Sequence, residues 1–347
     1  MKEKRYIHRW MLAPVLACLL LATASCSKDA TETEAVPSPG GTYLTIVTRG
    51  INTTESSEYE DYVGSLRVIA FKGEELALNT LLSADEIPDT EGTVDEVILE
   101  NTDKLKVGNG GGAYTFYFIA NEEGHVTDKD IALDVAFNNI TETDLKNMRV
   151  KFTQEETGIP KDKKMLMSVK QTVYITEGQN QTIEIELVRA LAKAQLVIQS
   201  EEEITAADIN VSLPADQIPN SYYLIQREPI EESSSFLTSG KTLESTGDNP
   251  FDATAVSSEN KYVSQVVYLP ERAAADEAGA LKYSITIDGE SYSAPIADGT
   301  EDSPVYTIER NYAYTTIGTY DPAKPATIDL TYTVQPFTEV ESEHTFN

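Results

Sequence analysis

The chain has 347 residues, 40% of them hydrophobic, and a formal net charge of −30 from 57 acidic against 27 basic side chains. A surface of that sign repels nucleic acid and anionic membranes, so neither is expected as a partner, and a chain of this length predicts about two domains. Both cysteines, Cys18 and Cys26, fall near the start, which leaves the remainder without a thiol for a disulfide, a nucleophile or a zinc site.

In chain order, Lys2, Lys4, Arg5 and Arg9 form a basic start, and Met11 to Ala24 is an almost unbroken apolar run. That run falls short of the roughly 20 apolar residues of a spanning helix and reads as the core of a signal peptide over residues 1–25. The small residues Ala22, Thr23, Ala24 and Ser25 before Cys26 resemble a bacterial lipobox, with Thr23 standing where a leucine is usual and Leu21 two residues earlier. The resemblance implies that Cys26 is the acylated first mature residue; an ordinary secretory signal with a chance cysteine is the alternative. Removing residues 1–25 deepens the net charge to about −33. Residues 26–41 are rich in Thr, Glu, Ala, Pro and Gly and are expected to be a flexible tether.

From Thr42 onward, short runs of β-branched and aromatic residues recur between turn residues. The runs are Tyr43–Thr48, Leu66–Phe71, Tyr114–Ile119, Val173–Ile175, Thr182–Val188 and Ala194–Ile198, then Tyr262–Leu269, Tyr283–Ile287, Val305–Ile308, Tyr312–Ile317 and Ile328–Val334. In Thr182–Val188, Ile183, Ile185 and Leu187 alternate with polar residues, as in a strand with one wet face. Helical periodicity is scarce; Thr141 with Asp144 predicts a capped start for a short helix reaching Met148. The expected class is all-β: antiparallel sheets packed as sandwiches with few short helices. Residues Gln199–Lys261, with scattered Ser, Glu, Asn and Pro, predict long loops.

Chemistry-bearing patterns are sparse. After the signal only His125 and His344 remain, far apart and without a ligand motif, and neither G-x-S-x-G, H-E-x-x-H nor a P-loop occurs. Gly108, Asn109, Gly110, Gly111 and Gly112 precede a strand instead of a helix and are expected to be a turn or mobile loop. Asp248, Asp252, Asp298 and Asp302 do not have EF-hand spacing. The single tryptophan, Trp10, lies in the signal, so a sugar-binding platform would have to be built from tyrosines. No enzyme activity, metal or cofactor is expected.

Four segments together resemble the fimbrillin family of Bacteroidales, the subunits of type V pili. They are Leu66–Phe71 (LRVIAF), Phe116–Asn121 (FYFIAN), Glu186–Ile198 (ELVRALAKAQLVI) and Ile308–Tyr314 (IERNYAY), in the family's order across most of the chain. The resemblance implies two transthyretin-like sandwiches, expected over residues 50–188 and 189–326. It also implies export as an outer-membrane lipoprotein and assembly into a surface fimbrium by strand exchange. In stalk subunits of the family an arginine-specific protease removes the first strand. The matching position is the Arg49–Gly50 bond, which would free residues 42–49. The candidate donor is residues 327–347, where Ile328, Leu330, Tyr332 and Val334 form an apolar row followed by Phe337, Val340 and Phe346. Phe337 departs from the family, which often has Trp there. The implied partners are other copies or related fimbrial subunits, the protease, the outer membrane through lipid, and a host or bacterial surface receptor. A stalk role leads; an anchor or tip accessory subunit and a surface glycan-binding lipoprotein are the alternatives.

Overall fold

The computed structural model describes residues 42–49, 60, 62–87, 96–99, 104–108, 110–157, 164–205, 208–247, 250–251, 260–300 and 303–336. The first half holds β1 (Thr42–Arg49), β2 (Leu66–Lys72), β3 (Glu75–Leu82), β4 (Glu96–Leu99), β5 (Lys106–Val107) and β6 (Gly112–Ala120). The short helices α1 (Leu133–Ala136) and α2 (Glu142–Asn147) follow, then β7 (Arg149–Lys151), β8 (Met167–Ile175), β9 (Gln181–Glu186) and β10 (Val188–Arg189). The second half holds β11 (Leu191–Ser200), β12 (Ile209–Leu213), β13 (Ser221–Tyr223), β14 (Lys241–Leu243), β15 (Asn260–Val263) and β16 (Val267–Pro270). It ends with β17 (Lys282–Ile287), β18 (Glu290–Pro295), β19 (Asp298–Thr300), β20 (Ser303–Val305), β21 (Tyr312–Tyr320) and β22 (Ile328–Pro336).

Two β-sandwiches result. In the first, a sheet ordered β4-β1-β5, with β9 also beside β1, faces a sheet ordered β10-β8-β6-β2-β3. Period-2 alternation turns Leu44, Ile46, Val68, Phe116, Phe118, Ile183 and Ile185 into the space between them, where all are buried. In the second, β15-β11-β21-β22, with β16 beside β11, belongs with β14-β12-β17-β18. The opposite face of β2 and β6, through Ile69, Phe71, Tyr117 and Ile119, joins the larger core of the second half by way of Leu133, Phe137, Leu145 and Phe152. The β7–β13 pair adds a backbone connection between the halves.

Local signals explain most of these elements. Thr141 caps α2, its hydroxyl accepting from Asp144 N at 3.1 Å; Thr141→Ala should lower stability by about 1 kcal/mol in a urea titration, and an unchanged midpoint would show that the cap contributes nothing.

Four expectations are refined. The sheets are antiparallel except for β1 with β9 and β11 with β21, which run parallel. The run Thr182–Val188 divides at Leu187, because β9 pairs with β1 in one sheet while β10 pairs with β8 in the other. Tyr262–Leu269 divides at Ser264, whose hydroxyl accepts from Leu196 N at 3.0 Å and so takes the place of a ladder bond to β11. Residues 199–261, expected as loops, contain β12, β13 and β14; short strands carrying Asn, Ser or Lys give no run of apolar residues to read.

Candidate functional site: the first strand and its seat

β1 occupies the middle of its sheet. Ile46–Arg49 pair antiparallel with Glu96–Leu99 of β4, while Leu44–Arg49 pair parallel with Gln181–Glu186 of β9. At its start, Thr42 and Tyr43 pair with Val107 and Lys106, and Thr42 Oγ1 donates to Thr176 O at 3.0 Å. Leu44 and Ile46 are wholly buried against Leu99, Ile183 and Ile185, each burial contributing about 1.5–3 kcal/mol. The strand is therefore held by two ladders and two apolar anchors. Taking it away would uncover the backbone edges of β4 and β9 and the pockets of Leu44 and Ile46, which is the geometry that invites another strand.

The chain is fastened again at Glu60. Lys193 Nζ bonds Glu60 Oε2 at 3.0 Å, the Tyr268 hydroxyl donates to the same carboxylate, and Arg189 Nε donates to the Glu60 carbonyl at 3.1 Å. Arg189, Lys193 and Tyr268 belong to β10, β11 and β16, so residue 60 is tied to elements other than β1. Glu60 is thus a fixed point that follows β1 in the chain.

The residues that carried the family resemblance are cross-links. Arg67 makes two bonds to the Glu122 carboxylate and one to Asn79 Oδ1 at 2.8 Å. Asn121, at φ 60°, accepts from Gly64 N at 2.8 Å and donates to Tyr62 O and Met165 O. Arg189 Nη1 bonds Asn311 Oδ1 at 3.1 Å, and Asn311 N donates to Leu191 O. Arg310 is buried with Glu271 and also donates to Tyr223 O and Leu224 O. Sequence reading found these positions by their pattern and missed their acidic partners, which lie far away along the chain.

The candidate donor residues are only partly described. Ile328, Leu330 and Val334 pack, half-buried, against the second core, and β22 pairs with β21 along all nine residues. A Cβ at Gly318 would fall 2.6 Å from Ile328 Cδ1, so bare backbone on β21 is what admits β22 so closely. Tyr332 is half-buried in the same strand. Cys26, Gly50, Phe337, Val340 and Phe346 lie outside the described residues, and Arg49 is the last residue of β1.

Nothing among the described residues forms a reaction centre. No group of three His, Cys, Asp or Glu side chains is arranged for a metal, and no helix is long and apolar enough to cross a membrane. Gly110 and Gly111 lead into β6, with Gly110 O accepting from Tyr114 Oη at 2.8 Å and Lys72 Nζ at 3.2 Å. Asp298 starts β19, whereas Asp248, Asp252, Asp302 and His344 are outside the described residues. Among the described residues, most tyrosines that could have made a sugar platform are packed inward. Tyr117, Tyr222, Tyr262, Tyr283 and Tyr314 are buried, and burial, with Glu244 nearby, pushes the Tyr262 phenol up to about 12.

The family model described as fimbrillin-A associated anchor proteins Mfa1 and Mfa2 matches residues 33–343. No curated protein matches the sequence significantly. Among solved structures, the chain is similar to the tip fimbrial protein Mfa3 from Porphyromonas gingivalis with C-terminal truncation. The identity is 18% and the TM-score 0.59, covering 86% of this chain and 100% of that one. It is also similar to a fimbrilin, FimA, from Porphyromonas gingivalis W83, at 11% identity and TM-score 0.52, covering 87% and 99%. At such identities the structural likeness speaks to the fold, and the family match speaks to kind: fimbrial proteins of the cell surface and not enzymes. With nearly all of the chain matched and four motif segments acting as the cross-links of a double β-sandwich, the protein belongs to the fimbrillin family that includes the Mfa1 and Mfa2 anchor proteins.

Proposed function

We propose that this fimbrial subunit joins a type V pilus by strand exchange. An arginine-specific protease cuts after Arg49, β1 leaves its seat, and a strand from a neighbouring subunit enters. The observation that carries this reading is the placement of β1. It is a central strand whose last residue is Arg49, and the chain is anchored afresh at Glu60 through Arg189, Lys193 and Tyr268. A cut between those points leaves the body fastened and makes β1 replaceable. While the bond is intact, the covalent link keeps β1 at high effective concentration over its own seat.

The lipid on Cys26 would hold the precursor at the outer membrane until the cut. The subunit would in turn donate residues from 327–347, chiefly those beyond Pro336, because β22 is fully paired on β21. Donor and acceptor are different surfaces, so the contact propagates and does not close into a dimer.

The test uses the full chain treated with an arginine-specific protease and a fluorescent peptide of Thr42–Arg49. The treated wild type should take up the peptide, and Arg49→Ala should not. Equal uptake by the Arg49→Ala protein would overturn the reading. A second role, as an anchor or tip accessory subunit, is favoured by the family description itself, which names anchor proteins. For an anchor, mature protein on the cell surface keeps residues 26–49 and its lipid. Cys26→Ala should then release both the protein and its fimbriae into the medium, and continued retention would remove that role.

A further inference from the structure

The seat of β1 has an acidic rim. In register, Val47 lies between Ile98 of β4 and Glu184 of β9, and Arg49 lies between Glu96 and Glu186. Glu184 and Glu186 are exposed, alternating with the buried Ile183 and Ile185. The strand that natively fills the seat has no acidic residue. It reads TYLTIVTR, with Leu44 and Ile46 in the core row and positions 43, 45, 47 and 49 in the other.

The chain's own candidate donors do not match this seat. The C-terminal segment reads Thr-Glu-Val-Glu-Ser-Glu over 338–343. With Val340 in the place of Leu44, Glu343 falls at position 47, beside Glu184. With Val340 in the place of Ile46, Glu341 falls there and Glu343 lands between Glu96 and Glu186. The first register makes one like-charge pair, Glu343 with Glu184, against one opposite-charge pair, Glu339 with Lys106, and puts the polar Ser342 in the place of the wholly buried Ile46; the second makes three like-charge pairs directly across strands, which is destabilising. The earlier part, Ile328, Leu330, Tyr332 and Val334, meets a steric problem. Every same-direction register that fills both aliphatic places puts Tyr332 where Leu44, Ile46 or Thr48 now sits. All three are buried, and overfilling a packed site is costly.

The geometry points to a seat that selects, as its occupant, a strand from a different subunit: aliphatic at two alternate core positions and without acidic residues in the outer row, where Val47 is itself buried. The C-terminal segment of a second copy is thereby disfavoured, and the fibre is mixed. This rests on the reading that β1 is exchanged. The acidic rim adds selectivity to a groove whose backbone bonds would accept any sequence.

The test is competition at the protease-treated full chain carrying the labelled Thr42–Arg49 peptide. The competitors are a Thr338–Asn347 peptide and the same peptide with Glu339→Lys, Glu341→Lys and Glu343→Lys. The lysine peptide should compete about tenfold better or more, as expected when the three like-charge pairs of the second register are reversed, and the gap should shrink in high salt. In the Glu184→Lys, Glu186→Lys protein the order should reverse. Equal competition, or better competition by the native tail, overturns the inference while leaving strand exchange in place. If the labelled Thr42–Arg49 peptide never enters the seat, the strand-exchange reading fails and the inference fails with it.

Discussion

Arg310→Ala should lower the unfolding free energy by about 3–5 kcal/mol, the cost of leaving one member of a buried ion pair alone. Arg310 is 1% exposed and Glu271 8%. The guanidinium bonds both oxygens of Glu271, with Nε to Oε2 at 2.8 Å, and its remaining donors go to Tyr223 O at 2.7 Å and Leu224 O at 3.3 Å. Truncation therefore strands a buried carboxylate and takes a donor from two carbonyls, of which Leu224 O keeps the Ser168 hydroxyl at 2.6 Å. Replacing both charged residues with apolar ones of similar volume, as in Arg310→Met with Glu271→Leu, should recover part of the loss, since the pair's desolvation cost disappears with it. Urea titration followed by circular dichroism checks both; a loss below about 1 kcal/mol for the single change would show that water or another group replaces the guanidinium.

The second large effect concerns the first strand. Ile46→Ala removes a wholly buried side chain of β1 that packs with Leu99 and Ile183. It should cost about 2–5 kcal/mol. The same loss acts on function, because Ile46 is one of the two apolar anchors that hold β1 after the proposed cut. In the protease-treated chain, release of β1 should quicken by about thirtyfold if 2 kcal/mol of that hold is lost. Thr45→Ala, in the half-buried outer row, should leave release nearly unchanged. Equal rates for the two variants would mean that the ladder bonds to β4 and β9, and not the core-facing side chains, retain the strand.

The motif positions show how far a sequence can be read. Arg189, Asn311 and Arg310 were legible as parts of a family pattern, and Asn121 as the end of one. Their work was not, because it depends on residues distant along the chain. Arg189 reaches Glu60 across 129 positions and Asn311 across 122, and Arg310 reaches Glu271 across 39. No local pattern marks Glu60 or Glu271 among the 57 acidic residues of the chain. The clamp after β1 was invisible for that reason.

By itself the sequence determined the all-β class, roughly half of the strand positions, the core-facing rows of β9 and β22, and the capped start at Thr141. These follow from local periodicity and from side chains meeting backbone three residues away. Only the tertiary structure decided that β1 lies between β4 and β9 and runs parallel to β9. It alone divided Thr182–Val188 between two sheets and set Glu184 and Glu186 beside the seat of the first strand. An alternating strand carries the same inside and outside whatever its neighbours are. Which edges meet is settled by long-range pairing and by the closure of the two cores, and those contacts have no period in the sequence.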